Sequence, residues 1–387
     1  MKRGLTGRYE TTMVTSETVR AFIPEALPPK PPLELTESRQ RLLERATLAL
    51  GRLDSVTLLL PDPTLFLYAY VRREAVLSSQ IEGTQSSLAQ LLLFELEEAP
   101  GVPINDVLEV SNYVAALDHG LKRLQEGFPL SNRLIREMHA VLLSRGRGSE
   151  KSPGEFRRSQ NWIGGTRPGN AYFVPPAPQY VEECMTHLER FLHNQDNPYP
   201  TLIKAALAHV QFETIHPFLD GNGRVGRLLI AFILHHDSIL SQPLLYLSLY
   251  FKQHRTEYYR LLDLVRTDGD WEAWLDFFLE GVEQTATNAV ATAKRLLTLF
   301  QQDEQKIHTL GRLASTALRV FHVLCDRPLI NLNQVCARTG LSFPSADKGM
   351  QALERLEIVR EITGKRRNRV FAYRDYLDIL NEGTEVA

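Results

Sequence analysis

From about Leu35 onward, apolar residues recur every three or four positions along most of the chain, the period of a helix with one buried face. One such stripe is Phe66, Tyr70, Leu77 and Ile81. Asp62-Pro63 ahead of it supplies an N-cap and a first-turn proline, and Gly83 is placed to stop it. Ser86 and Ser87 can cap the next helix, which the pattern carries to Pro100. Further helices are predicted from Gln179 to Asn194 and from Thr201 to about Thr214, the latter burying Ile203, Ala206, Leu207 and Val210. Two stretches break the helical rule. Residues 1–33 are rich in turn formers and run into PEALPPKPPLEL, which reads as an extended proline arm rather than a folded unit. Between Pro153 and Pro178, glycines and prolines punctuate short aromatic and β-branched pieces. That reads as a loop plus a small β-hairpin, with Arg167-Pro168-Gly169-Asn170 at its tip.

Past about Asn288 a long connecting helix is expected, ending in the polar stretch QQDEQKIH near Leu310. The character then changes. A helix (Ala314–Cys325), a short helix (Asn333–Thr339), a third (Pro344–Glu357), a basic β-ribbon and a short terminal helix have the order and size of a winged helix-turn-helix. The expected fold is therefore mainly α. It divides into residues 1–60 (arm and first helix), 61–100, 101–285 (a central core), 286–311 (connecting helix) and 312–387 (winged helix-turn-helix domain).

At 387 residues the chain is long for one compact domain, and 43% hydrophobic with 23% charged residues is an ordinary globular balance. A formal net charge of −2 gives no sign of nucleic-acid or membrane affinity for the chain as a whole, so any basic surface is local. Cys184, Cys325 and Cys336 are odd in number and widely spaced, which suits buried thiols in a reducing compartment and has no zinc-ligand spacing. No apolar run follows Lys2 and Arg3, and Leu228 to Leu234 is far too short for a membrane span. These features point to a cytoplasmic protein without membrane contact.

The densest chemistry lies in His216-Pro217-Phe218-Leu219-Asp220-Gly221-Asn222-Gly223-Arg224-Val225-Gly226-Arg227, between the helix ending near Thr214 and one predicted from about Val225 to His236. Gly221, Asn222 and Gly223 accept positive φ. Just ahead of a helix, their N–H groups form an anion site with the helix dipole behind it. Arg224 and Arg227, three apart, lie on one side of the first helical turn, where two guanidiniums suit a polyphosphate. Asp220 adds a hard oxygen of the kind Mg²⁺ takes alongside phosphate oxygens and water. His216, held by Pro217, is the group whose ordinary pKa suits proton abstraction near neutrality. The same His and Asp would also serve as a metal pair, but no third ligand of comparable spacing accompanies them.

This run resembles the signature of the Fic (filamentation induced by cyclic AMP) domain, His-Pro-Phe-x-(Asp/Glu)-Gly-Asn-Gly-Arg-x-x-Arg, at every specified position. The likeness covers roughly residues 60–285. It implies a Fic-type helical bundle around the motif and a small β-hairpin flap over the site, with Gly165 to Val174 as the flap. Pro153-Gly154-Glu155-Phe156-Arg157 also resembles the family. The implied activity is transfer of AMP from ATP to a hydroxyl side chain (Ser, Thr or Tyr) of a target protein. His216 would deprotonate the hydroxyl and Asp220 would hold Mg²⁺. Gly221 to Gly223 and Arg224 would bind the α- and β-phosphates, and Arg227 the γ-phosphate, with Val225 and Gly226 in the same ATP-binding run. A homodimer is implied by the likeness alone.

Upstream, Ser78-Ser79-Gln80-Ile81-Glu82-Gly83 resembles the family's inhibitory motif, (Ser/Thr)-x-x-x-Glu-(Gly/Asn). Ser78 and Glu82 share a helix face, off the Phe66–Ile81 stripe. The resemblance pairs Glu82 with Arg227. An arginine so held cannot clamp a γ-phosphate, so the protein is expected to be autoinhibited. A target segment would add to the flap as a strand, with Gly165, Tyr172, Phe173 and Val174 as the docking residues. Leu245 to Tyr250, Tyr250 above all, is assigned to the adenine pocket.

The ribbon tip Gly364-Lys365-Arg366-Arg367-Asn368-Arg369 suits phosphate contact, whereas Asp347, Glu354 and Glu357 on the preceding helix do not. DNA contact and protein contact by residues 312–387 therefore both stay open. Three functional readings follow. One is an adenylyltransferase, self-modification included. Another is an enzyme that removes AMP, with Glu82 positioning a water. The third is a DNA-binding regulator whose nucleotide site is a sensor. An intact His216 beside an intact anion loop favours an enzyme, since a sensor needs no base.

Overall fold

The computed structural model describes residues 2–14, 17–59, 63–96, 104–194 and 196–384. Its centre is a helical bundle: α1 (Glu37–Leu59), α2 (Pro63–Ile81), α3 (Leu88–Glu95), α4 (Ile104–Gln125), α5 (Asn132–Leu142), α6 (Pro178–His193), α7 (Thr201–Ile215), α8 (Asn222–His236), α9 (Ser248–Gln253), α10 (Arg255–Asp268) and α11 (Trp271–His308). α7 and α8 are buried on nearly every side, which suits helices apolar all round. α7, α4, α5 and α2 pack around α8. Burying Leu228, Ile230, Phe232 and Ile233 of α8 contributes about 1.5–3 kcal/mol each. The loop joining the two most buried helices is the motif loop, so packing on both sides fixes its ends.

Three expectations need correction. Residues 1–33 are not an unfolded arm: β1 (Gly7–Val14) and β2 (Glu17–Pro24) form an antiparallel hairpin, in register from Gly7↔Pro24 to Val14↔Glu17. Val19, Ala21 and Ile23 share one face of β2 and are buried, and Phe22 on the other face is buried too, so the period-two pattern is short and the neighbouring prolines mask it. The flap is not a two-stranded ladder. Among the described residues it holds one bridge, Ile163↔Phe173, and a 3-10 turn at Pro168–Asn170. Gly164 and Gly165, at φ +69 and +71, and Pro168, which lacks an N–H, end the ladder. The Val174 carbonyl accepts instead from the Phe22 N–H of β2 at 2.9 Å. Finally, no separate connecting helix exists. α11 is continuous from Trp271 to His308, so a boundary between 285 and 286 falls inside it. Gly281 is no breaker there; it makes room for the Tyr250 ring, whose Cδ1 would lie 2.6 Å from a Cβ.

Ser87 caps α3 in a capping box with Gln90, and α3 ends at Glu95. Asp62, Pro100 and the Phe66 side chain lie outside what is described. After α11 come α12 (Ala314–Asp326), β3 (Leu329–Asn331), α13 (Leu332–Thr339), α14 (Phe343–Arg355), β4 (Arg360–Glu361), β5 (Val370–Ala372) and α15 (Arg374–Asn381), with a sheet in the order β3–β5–β4. This module packs on α11 and, through α12 and α15, on α2. Among the described residues no helix is long and apolar enough to cross a membrane.

Candidate functional site

α7 ends at His216, which adopts the left-handed conformation (φ 49, ψ 60). A non-glycine residue there is strained and needs support. Arg157 supplies it: Nε donates to the His216 carbonyl at 2.9 Å, Nη2 to the carbonyls of Pro176 and Ile215, and its N–H to the Pro217 carbonyl at 2.9 Å. Carbonyls at a helix C-terminus are a favourable setting for a cation, although burial pushes Arg157 down to about 10. Burial, followed by the Arg157 charge, pushes the His216 imidazole down to about 4, against the pull of the Glu82 carboxylate. The ring is therefore neutral near pH 7, as a general base must be.

The loop is closed from within. Asn222 accepts from the Phe218 N–H through Oδ1 and donates to the Phe218 carbonyl through Nδ2, both at 2.8 Å. The Phe218 ring stacks on His139 at 3.7 Å. Because His139 Nδ1 accepts from the Gly154 N–H at 2.8 Å, its proton sits on Nε2, which donates to the Asp220 carbonyl at 3.0 Å. Burial pushes His139 down to about 4, which keeps that tautomer neutral. Gly221 opens α8 at φ 76, a conformation that favours glycine.

The two arginines of the first turn of α8 point to different partners. Arg224 Nη1 pairs with Glu109 of α4 at 2.7 Å and Nη2 with Asp220 at 3.3 Å. Asp220 Oδ1 also accepts from the Gly221 N–H at 2.6 Å, and the side chain stays 30% exposed. Arg227 donates Nε to Ser78 Oγ at 2.8 Å, and Nη2 to the Ser78 carbonyl at 2.9 Å and to Glu82 Oε1 at 2.8 Å. Glu82 Oε1 occupies the place that a Cβ on Gly223 would take, so the carboxylate sits on the helix N-terminus where an anion would bind. Burial opposes its ionisation, but Arg227 outweighs burial and holds the carboxyl below the usual range. Two further carboxyls flank Arg227. Burial pushes both Glu213 and Glu74 up to about 7 despite that charge. Glu74 Oε1 accepts from Ser248 Oγ and from Tyr113 OH.

The structure thus brings together His216, Asp220, Gly221 to Arg227, Ser78 and Glu82, with Gly83 (φ 100) just past the end of α2. Ser78 is fully buried rather than off the buried face, because Arg227 fills the space against it. On the flap, Tyr172 is 64% exposed, while Phe173 turns inward beneath Arg266 at 3.9 Å. Val174 packs with Val19, Ala21 and Ala177, and Gly165 abuts Asn170. Tyr250 lines a cavity with Tyr70, Glu74, Tyr246 and Asn288, and no residue of the 216–227 run lines that cavity. Glu109, His139 and Glu213 are the residues that sequence reasoning missed, whereas Arg157 entered it only within the family-like run Pro153 to Arg157. The available signal was a lone ionisable residue inside an apolar helical window, as in VLEVS and MHAVLL.

Residues 40–122 match the Fic/DOC family N-terminal model and residues 129–234 the Fic/DOC family model. The chain is 31% identical over 208 residues to a protein adenylyltransferase Fic of Drosophila grimshawi (53% of this chain, 40% of that protein). It is 33% identical over 214 residues to one of Aedes aegypti (53% and 39%). The chain thus spans about 40% of the length of the curated relatives it matches. In fold it resembles a Fic family protein from Desulfovibrio desulfuricans G20 (TM-score 0.59, 20% identity, 89% of this chain and 98% of that one). It also resembles a Fic domain containing signaling protein from Bacteroides thetaiotaomicron (TM-score 0.53, 21% identity, 65% and 97%). Residues 40–122 and 129–234 of the chain are thus a Fic/DOC family N-terminal domain and a Fic/DOC family domain.

Proposed function

We propose that this protein transfers AMP from ATP to a hydroxyl side chain of a target protein, and that Glu82 holds the reaction in check. One observation carries the proposal: a neutral His216 ends α7, and one short loop joins it to the glycine-lined start of α8, whose first turns carry Arg224 and Arg227. The target hydroxyl oxygen attacks the α-phosphorus while its proton passes to His216. The bond from that phosphorus to the bridging oxygen breaks, and pyrophosphate leaves. The N–H groups of α8 and the two arginines meet the charge that develops on the phosphate oxygens. The relatives named protein adenylyltransferase support this reading.

Mg²⁺ fits beside Asp220. Its carboxylate is partly exposed, with one oxygen already fixed by the Gly221 N–H. Among the described residues no group of three or more His, Cys, Asp or Glu is arranged to hold a metal, which suits an ion that takes one carboxylate and the phosphates of its ligand. When bound, Mg²⁺ would neutralise phosphate charge. The exposed Tyr172 of the flap is the natural contact for a target strand.

A second reading, AMP removal, draws on the Glu82 carboxylate being near enough to pull the His216 pKa upward, so that the pair could activate a water. We read the C-terminal module as a winged helix-turn-helix. Asp347 of α14 pairs with Arg369 of the ribbon tip, so one acidic and one basic charge are spent together, and the pair favours neither DNA nor protein contact.

The test uses ATP labelled on the α-phosphate, Mg²⁺ and a cell lysate, with wild type, Glu82→Gly and His216→Ala. Label on protein with Glu82→Gly, weakly with wild type and not with His216→Ala, is the expected result. No label in any lane overturns AMP transfer and directs the next assay to release of AMP from a modified protein.

A further inference from the structure

α2 carries the brake, so whatever fixes α2 bears on the brake. Gln80, inside the inhibitory motif, is 9% exposed and engaged through both atoms of its amide. Oε1 accepts from Lys252 Nζ of α9 at 2.8 Å, and Nε2 donates to the carbonyls of Ser86 at 3.0 Å and Thr384 at 3.1 Å. Thr384 lies beyond α15, 304 residues along the chain from Gln80, yet is only 5% exposed. The same segment is fixed at three more points. Arg73 of α2 donates to the Glu382 carbonyl at 2.7 Å, and Arg295 of α11 grips the Glu382 carboxylate with both Nη atoms at 2.6 Å. Gly383, at φ +78, sits against Leu249 of α9. Thr384 folds back through its N–H and Oγ onto the Asn381 carbonyl. Residues 382–384 therefore form a seated turn in a groove between α2, α9 and α11.

We propose that this turn is a latch on the inhibitory helix, through which the C-terminal module sets how firmly Glu82 engages Arg227. The inference rests on reading Glu82 as the brake. Ser78 and Glu82 face Arg227, whereas Arg73 and Gln80 reach the tail, so the helix is gripped from both sides. Glu82 follows directly on the last residue of α2, and helix ends open most readily. The Gln80–Thr384 bond ties this last turn to the far end of the chain. The Arg295–Glu382 pair is half exposed (50% and 58%) and contributes little by itself, so the buried contact carries most of the hold. α12 adds a grip lower on α2, where Arg327 lies over the Tyr68 ring at 4.5 Å.

The test compares the full chain, a chain ending at Asn381, Arg295→Glu, Glu382→Arg and the double charge swap. Each is measured by hydrogen exchange over residues 73–83 and by AMP transfer from labelled ATP, with Glu82→Gly as reference. In the shortened chain, exchange at residues 78–83 is expected to be about fivefold faster or more, with transfer rising severalfold. The single swaps move both readouts the same way by less, and the double swap returns them. Unchanged exchange at 78–83 in the shortened chain and in both single swaps overturns the latch. Faster exchange without more transfer, while Glu82→Gly is active, overturns it as well. If Glu82→Gly is itself no more active than wild type, the brake reading fails, and the exchange result alone decides the latch.

Discussion

The Arg227 guanidinium and the Glu82 carboxylate meet at 2.8 Å above Gly223, at the N-terminus of α8. The anion site that the glycine loop creates is thus filled by a carboxylate of the same chain, and the arginine suited to a terminal phosphate is spent on it. On the proposed function, nucleotide and Glu82 would compete for one place.

That competition has a thermal signature. Glu82→Gly leaves the buried Arg227 with Ser78 as its remaining direct partner, at a cost on the order of 1–3 kcal/mol, and clears the anion site. The variant is expected to melt below wild type without nucleotide and to gain more from ATP and Mg²⁺ than wild type does. Equal ATP-induced shifts in the two proteins would show that Glu82 does not compete for the site.

Arg224 depends on a residue that no motif announced. Its partner Glu109 is buried on α4 at 2.7 Å, and Asp220 is a longer, partly exposed second contact. Glu109→Ala leaves a buried cation undercompensated, a loss of about 2–4 kcal/mol in denaturant unfolding. Because Arg224 then swings toward Asp220, ATP binding is expected to weaken by about tenfold, that is by roughly 1.4 kcal/mol. Intact affinity in a correctly folded variant would remove Glu109 from the site.

The motif loop was legible because its parts are contiguous: His216, Asp220, the glycines and both arginines lie at the junction of two buried helices. Ser78 and Glu82 were legible only through a motif resemblance, since pairing across 145 residues leaves no periodic trace. Glu109, His139 and Glu213 each look like one stray polar residue in an apolar helix. Only the fold shows that these strays converge on Arg224, the Asp220 carbonyl and Arg227. The N-terminal hairpin was hidden for another reason. Its short alternation lies against a proline run that dominates any window containing it, and its strand β2 takes part of the pairing that a two-stranded flap would have made itself.

The His216 pKa near 4 has a kinetic consequence. A histidine base with an ordinary pKa would lose rate as pH falls through the neutral range. Here the ring stays neutral, and removing Glu82, whose charge draws the pKa up, moves it further down. AMP transfer by Glu82→Gly is expected to be flat between about pH 6 and 8 and to fall only well below. A rate that halves near pH 6.5 would place the essential base in a more open setting than the structure gives it.

Glu213 makes the opposite case, a carboxyl whose folded pKa is raised. It is 8% exposed, its Oε1 has no hydrogen-bond partner, and burial pushes it from 4.5 up to about 7 against the Arg227 charge. Below about pH 4.5 the group is protonated in both the folded and the unfolded chain and costs nothing. As pH rises from there to about 7, the unfolded chain ionises first, so folding stability falls, and above that range the loss is constant. Glutamine has the same shape and no proton to lose. Glu213→Gln is therefore expected to match wild type in thermal unfolding near pH 4.5 and to become more stable by on the order of 1–3 kcal/mol at pH 8. A difference that stays constant across that range would mean that Glu213 is ionised in the folded protein, held by Arg227 as a second counterion rather than kept neutral by burial.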